Sequence, residues 1–394
     1  MAKQSIMSIL SKRNILIPLL VFSMLIMLPN LTLAKKRGGR MNVIDRCWRR
    51  DPNWRNHREQ LARCSVGYVG KMNNNIGGGL TWYIVSDPSD DAIHPKPGTL
   101  RYGVTQVKGK KWITFKHDMK IKLAKPLLVG SFTTIDGRGA KVEIAGGACL
   151  ILRKVTDVII HSLKIRNCKA QPAGDVLNHD GAIMSIGPVD GDAIRMISCA
   201  KIWIDHNTLA TSPDGLIDVT RGSTDITISN NQFIDQNKVM LLGHDDGFLR
   251  DRNMKVTVAY NKFGPNCHQR MPRVRFGYSH VVNNIYKGWG LYAIGGSMDP
   301  SVRSEANLFI APKNGKKEVT WRKAMNIAER KKINFQSIKD IFENGASFKE
   351  SDGDGNSVKP NYNKEQYFRI AVAINLRKLT RAAGALKCPP VGRC

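Results

Sequence analysis

The chain has 394 residues, 42% of them hydrophobic, and a formal net charge of +29. That length admits one long domain or two ordinary ones around a large core. The charge suits a polyanionic partner (nucleic acid, anionic membrane or acidic polysaccharide), with a solvated basic surface as the plain alternative; beyond the leader, no segment is apolar enough to cross a bilayer.

Residues 1–34 read as a secretory signal peptide. Lys3, Lys12 and Arg13 precede an apolar run from Ile15 to Leu28, and Thr32-Leu33-Ala34 offers a small-residue cleavage site. Pro18 interrupts the run and Pro29 ends it, which argues against a membrane anchor. Export disfavours nucleic acid and favours an extracellular polyanion. The cysteines agree. Cys47 and Cys64, Cys149 and Cys168, and Cys388 and Cys394 are local pairs able to close short loops in an oxidising compartment. Spacing alone leaves the pairing open, and Cys199 and Cys267 are left over.

Residues 35–81 read as an N-terminal cap segment. A basic lead (35–40) is followed by a short amphipathic helical stretch carrying Trp48, Trp54 and Leu61, then by a polar, Gly-rich loop from Met72 to Gly79. From about Trp82 the texture changes to short runs rich in Val, Ile and Thr, such as Trp112-Ile113-Thr114-Phe115 and Val158-Ile159-Ile160. A repeat then emerges: IWIDHNTL (202–209), ITISNNQF (226–233), VTVAYNKF (256–263), SHVVNNIY (279–286) and VRSEANLF (302–309). Its asparagines, Asn207, Asn231, Asn261, Asn284 and Asn307, are separated by steps of 24, 30, 23 and 23.

Strands at such a period predict a solenoid. Leucine-rich repeats share the period, but their leucine scaffold is missing. The expected fold is all-β, a right-handed parallel β-helix over 82–312 with a short helical cap and an irregular C-terminal tail. Stacked turn asparagines would hydrogen-bond along its axis as a ladder. After Pro312 the repeat is expected to stop. Residues 313–394 then form a packing segment: charged and partly helical to 350, a polar loop over 351–364, and a basic helix near 365–383.

Four aspartates, Asp190, Asp192, Asp214 and Asp218, stand out in so basic a chain. Asp190 and Asp214 are 24 residues apart, one step of the repeat, and Lys238 follows Asp214 by another 24. Equal phase in a β-helix means stacking at about 4.8 Å along the axis. Asp190, Asp214 and Lys238 therefore form a row, with Asp192, Asp218 and Arg270 close by. Carboxylates on one face repel unless a cation joins them, and oxygen ligands without His or Cys favour Ca²⁺. Turn aspartates capping loops are the plain alternative. Lys238, Arg270, Arg273 and Arg275 lie one or two coils further on, arranged to hold an anionic sugar acid.

The motifs DGDAI (190–194), IWIDH (202–206), DGLIDVT (214–220), KVMLLGH (238–244) and RMPRVRFG (270–277) resemble the plant members of the pectate lyase family. NVIDRCWRRDPNW (42–54) and PGTLRYGVTQ (97–106) look like the same group, so the resemblance spans roughly 41–312. It implies a secreted, cell-wall enzyme, monomeric and free of membrane after signal removal. Its implied activity is Ca²⁺-dependent eliminative cleavage of polygalacturonate (de-esterified pectin) to 4,5-unsaturated products. Carried over by motif, Asp190, Asp192, Asp214 and Asp218 match the calcium ligands and Arg270 the catalytic arginine. Lys238 and Arg275 match the residues that grip substrate carboxylates. Arg50, Asn207 and Val274 depart from the family pattern, and residues 170–189 are unusual in composition, which bears on subsite shape.

Arg270 would take the C5 proton of galacturonate, which is α to a carboxylate. A guanidinium is normally protonated, so crowding by Ca²⁺, Arg273 and Arg275 would have to favour the neutral form. Two rivals are a β-helix hydrolase of the polygalacturonase type and a non-catalytic wall-binding protein on the same fold. For the hydrolase, His244-Asp245-Asp246 would supply paired carboxylates, but these residues are expected on an outer loop, out of phase with the arginines. His206 is expected to serve the turn beside Asn207 rather than catalysis.

Overall fold

The computed structural model describes residues 41–323, 326–351, 358–389 and 391–394. The expected signal peptide and basic lead lie outside them. From Thr81 the chain lays down strands of two to six residues, too short and too β-branched to compete as helices. The strands stack into three parallel sheets of ten, eight and nine members, each coil passing through the sheets in turn. Register follows the repeat: Ile202 pairs with Val158 on one side and Ile226 on the other, and Ile226 pairs with Val256. The protein is a parallel β-helix.

Inward-facing side chains fill the solenoid. One aromatic per coil, Phe233, Phe263, Tyr286, Phe309 and Phe342, stacks along the axis with centroids 4.9, 4.7, 4.5 and 5.6 Å apart. Such stacking adds to the gain from burying the first four rings; Phe342, at the end of the column, is exposed.

The asparagine ladder forms as the spacing predicts. Asn207, Asn231, Asn261 and Asn284 each donate from Nδ2 to Oδ1 of the next asparagine at 3.0–3.2 Å. Each Oδ1 also accepts the backbone N–H one coil earlier. The residue before every rung is in the left-handed region, with φ of 54° at His206, 52° at Asn230, 56° at Tyr260, 57° at Asn283 and 50° at Ala306. That turns the corner between the ten- and nine-stranded sheets.

The solenoid outruns its expected end at 312. Strands Thr320–Lys323, Asn334–Ile338 and Ile341–Glu343 each pair with the preceding coil. Asp340, preceded by Lys339 at φ 56°, forms the final rung and accepts from Asn307 Nδ2 at 3.1 Å. This coil escapes detection because its rung is Asp rather than Asn, set 33 residues on instead of 23. The basic helix expected over 365–383 shrinks to a 3₁₀ turn, Ala373–Asn375, and one α-turn, Leu376–Leu379.

A second core lies on the outer side of the ten-stranded sheet. Trp112, Ile159, Trp203 and Val282 of that sheet pack there against Ile44, Trp48 and Trp54 of the cap and Phe368 and Leu376 of the tail. The cap helix Val43–Trp48, N-capped by Asn42, is fixed by Asp45, whose Oδ1 lies 2.7 Å from His206 Nε2. His206 is fully buried at the corner, the structural placement expected of it. All three cysteine pairs are disulfides, and Cys199 and Cys267 are free and buried.

Candidate active site

The site lies on the outer face of the eight-stranded sheet. Because side chains alternate along a strand, Ile194 and Met196 turn inward and Arg195 outward. Register then stacks Arg195 beside Asp218, Leu241, Arg273, Gly295 and Trp321 on successive coils. Carboxylate oxygens of Asp190, Asp192 and Asp214 all lie within 4.8 Å of one another. Asp218 stands outside that triple but adjoins it: Gly215, with no side chain, separates Asp218 Oδ1 from Asp192 Oδ1. The Gly215 N–H donates to Asp192 Oδ1 at 2.7 Å. Gly191, between the first two acids, sits at φ +95°, where a Cβ would also strike the Ala170 nitrogen.

Crowding and burial make Asp192 and Asp218 reluctant to ionise. Burial, then the charge of Asp190, pushes the Asp192 carboxyl up to about 7. Burial and Asp192 drive Asp218 well above the usual carboxylate range. Asp192 Oδ2 is buried without a hydrogen-bond partner. An all-oxygen donor set, an orphaned buried oxygen and like charges held together fit a hard divalent cation.

Two protein cations already lean on the cluster. Lys238 Nζ meets Asp214 Oδ1 at 2.5 Å, as the shared phase predicts. Arg195, which the sequence reading passed over, places Nη1 3.0 Å from Asp190 Oδ1 and Nε 4.0 Å from Asp192 Oδ2. Arg270 follows one coil beyond Lys238, its carbonyl accepting from the Met240 N–H at 2.7 Å. It holds a left-handed φ of 62°. Arg273 lies over the Trp321 ring at 5.4 Å, and burial and Arg275 lower its pKa. Tyr292, also overlooked, stacks on Trp321, and burial raises its phenol against the pull of Arg273 and Arg270.

Arg275 points toward the loop after Leu242. It donates to Gly243 O at 2.9 Å and to Asp246 Oδ1 at 3.1 Å. His244-Asp245-Asp246 lie on a loop after the strand Met240–Leu242, as expected, and Asp246 reaches Arg275 from it. Residues 170–189 form an antiparallel hairpin, Gly174–Leu177 with Ile183–Ile186. Its base is closed by Gln171 and Val189 immediately before Asp190.

Clustered carboxylates bordered by lysine and arginines on the outer face of one sheet define a parallel β-helix protein with a charged site on its flank. A family model described as pectate lyase matches residues 61–349. The chain belongs to the pectate lyase family and is an enzyme of that class. It is 45% identical over 358 residues to pectate lyase 1 of Cryptomeria japonica, covering 90% of this chain and 94% of that protein. It is 47% identical over 350 residues to pectate lyase 1 of Juniperus virginiana, covering 88% and 94%. The crystal structure of Jun a 1, the major allergen from cedar pollen, superposes with a TM-score of 0.83 at 46% identity, covering 88% of this chain and all of that one.

Proposed function

We propose that the protein is a secreted, Ca²⁺-dependent lyase that cleaves de-esterified polygalacturonate by β-elimination, leaving a 4,5-unsaturated end. The observation that carries this reading is the carboxylate triple within 4.8 Å beside Lys238 on one sheet face. Asp190, Asp192, Asp214 and Asp218 would hold the ion. Bound there, Ca²⁺ would neutralise a uronate carboxylate and so ease loss of the neighbouring C5 proton.

Lys238 and Arg275 bind substrate carboxylates, orienting the sugar and stabilising charge that develops on C5. Arg270 would serve as the base that takes the C5 proton. The C5–H electron pair becomes the C4–C5 double bond, the C4–O bond breaks with its pair leaving on oxygen, and that oxygen takes a proton from water while the proton held by the base returns to solvent. The signal-peptide pattern of residues 1–34 supports export, and no helix among the described residues is long and apolar enough to cross a membrane.

The test is ultraviolet absorbance of the unsaturated product, with purified protein and polygalacturonate in CaCl₂ or in EDTA. A chelator-sensitive rise is expected, and Arg270→Ala should lower it by roughly 10²- to 10⁴-fold. No rise in CaCl₂ would overturn the lyase assignment, and a rise indifferent to EDTA would overturn the metal site.

A further inference from the structure

We infer that Arg195 is a tethered cation that occupies the carboxylate cluster when metal is absent and must be displaced when Ca²⁺ binds; this rests on the metal reading above. The guanidinium is 3.0 Å from Asp190 and 4.0 Å from Asp192, reaching two of the three clustered acids. Its strand position is in register with the fourth acid, Asp218, one coil on. Arg195 Nε and Asp192 Oδ2 are both buried and both lack a hydrogen-bond partner. The pair is close enough to attract but too far apart to bond, so the charge is balanced while the coordination is left unsatisfied.

That mismatch separates a counterion from a structural salt bridge. A bidentate fork would lock the acids, whereas this contact leaves an oxygen free for a smaller, doubly charged ion. The side chain is a quarter exposed, so displacement by an ion would carry the guanidinium toward solvent. Arg195 thus keeps the metal-free site folded, weakens Ca²⁺ affinity by competition, and on release presents a cation on the face where Lys238 and Arg273 lie.

The test compares wild type with Arg195→Ala and Arg195→Gln, each stripped with EDTA, by calorimetric titration with CaCl₂ and by thermal unfolding in EDTA. Both variants should bind Ca²⁺ roughly three- to tenfold more tightly, the scale of one partly exposed charge pair. Both should also unfold at a lower temperature than wild type in EDTA, with the gap closing in saturating CaCl₂. Equal or weaker Ca²⁺ binding by the variants would overturn the tethered-cation role alone. Absence of Ca²⁺ binding by wild type and variants together would overturn the metal site and this role with it.

Discussion

Gly215 shows how little room the acid cluster leaves. A Cβ added there would come within 2.7 Å of Asp218 Oδ1 and 2.8 Å of Asp192 Oδ1, closer than real contacts allow. Gly215→Ala should therefore spread the two carboxylates and weaken Ca²⁺ binding by about tenfold or more, with little change in the circular dichroism of the β-helix. Calorimetry on the stripped variant checks this, and unchanged affinity would show that Asp192 and Asp218 do not act on one ion. The aspartates themselves were legible because a 24-residue step exposes equal phase. Arg195, Gly215 and Tyr292 were not, since their roles come from what lies beside them across coils and carry no spacing signal of their own. The contact of Asp246 with Arg275 was hidden for a related reason: phase predicts strands, and a loop obeys no phase.

Among the elements, the ladder corner is the most exacting. Asn261 Oδ1 accepts from Asn231 N at 2.9 Å and Nδ2 at 3.1 Å, while its own Nδ2 donates to Ile228 O at 2.8 Å and Asn284 Oδ1 at 3.0 Å. Asn261→Ala leaves several fully buried partners unsatisfied, at about 1–3 kcal/mol for each group that cannot find water. Unfolding by urea should show a loss of about 3 kcal/mol or more, whereas a loss below about 1 kcal/mol would make the ladder ornamental. Five rungs were readable from the repeated asparagine. The sixth was hidden by its change to Asp340 and by the longer interval before it. Local helical propensity near 365–383 likewise misled: the tail gains more by pressing Phe368 and Leu376 into the outer core than by completing a helix.

At the scale of the whole molecule, cap, tail and solenoid meet over a buried polar knot, and this ties stability to pH. His161 of the ten-stranded sheet is fully buried, 3.0 Å from Asp205 Oδ2, with Trp48 of the cap edge-on at 5.4 Å and His206 at 5.6 Å. Arg138 opposes protonation from the preceding coil. Burial outweighs the pull of Asp205 and lowers the imidazole pKa from 6.5 to about 4. The unfolded chain thus takes up this proton before the folded one does. Stability from the neutral imidazole is complete above pH 6.5 and is lost as the pH falls through that window toward 4, about 3 kcal/mol in all. Asp340, which burial raises to about 6, works in the opposite direction over part of the same range. The signature is therefore the difference between wild type and His161→Gln, followed by urea unfolding from pH 7.5 down to 4. The variant should lose less stability than wild type on acidification, by up to that amount. Parallel curves would mean that His161 does not link stability to pH.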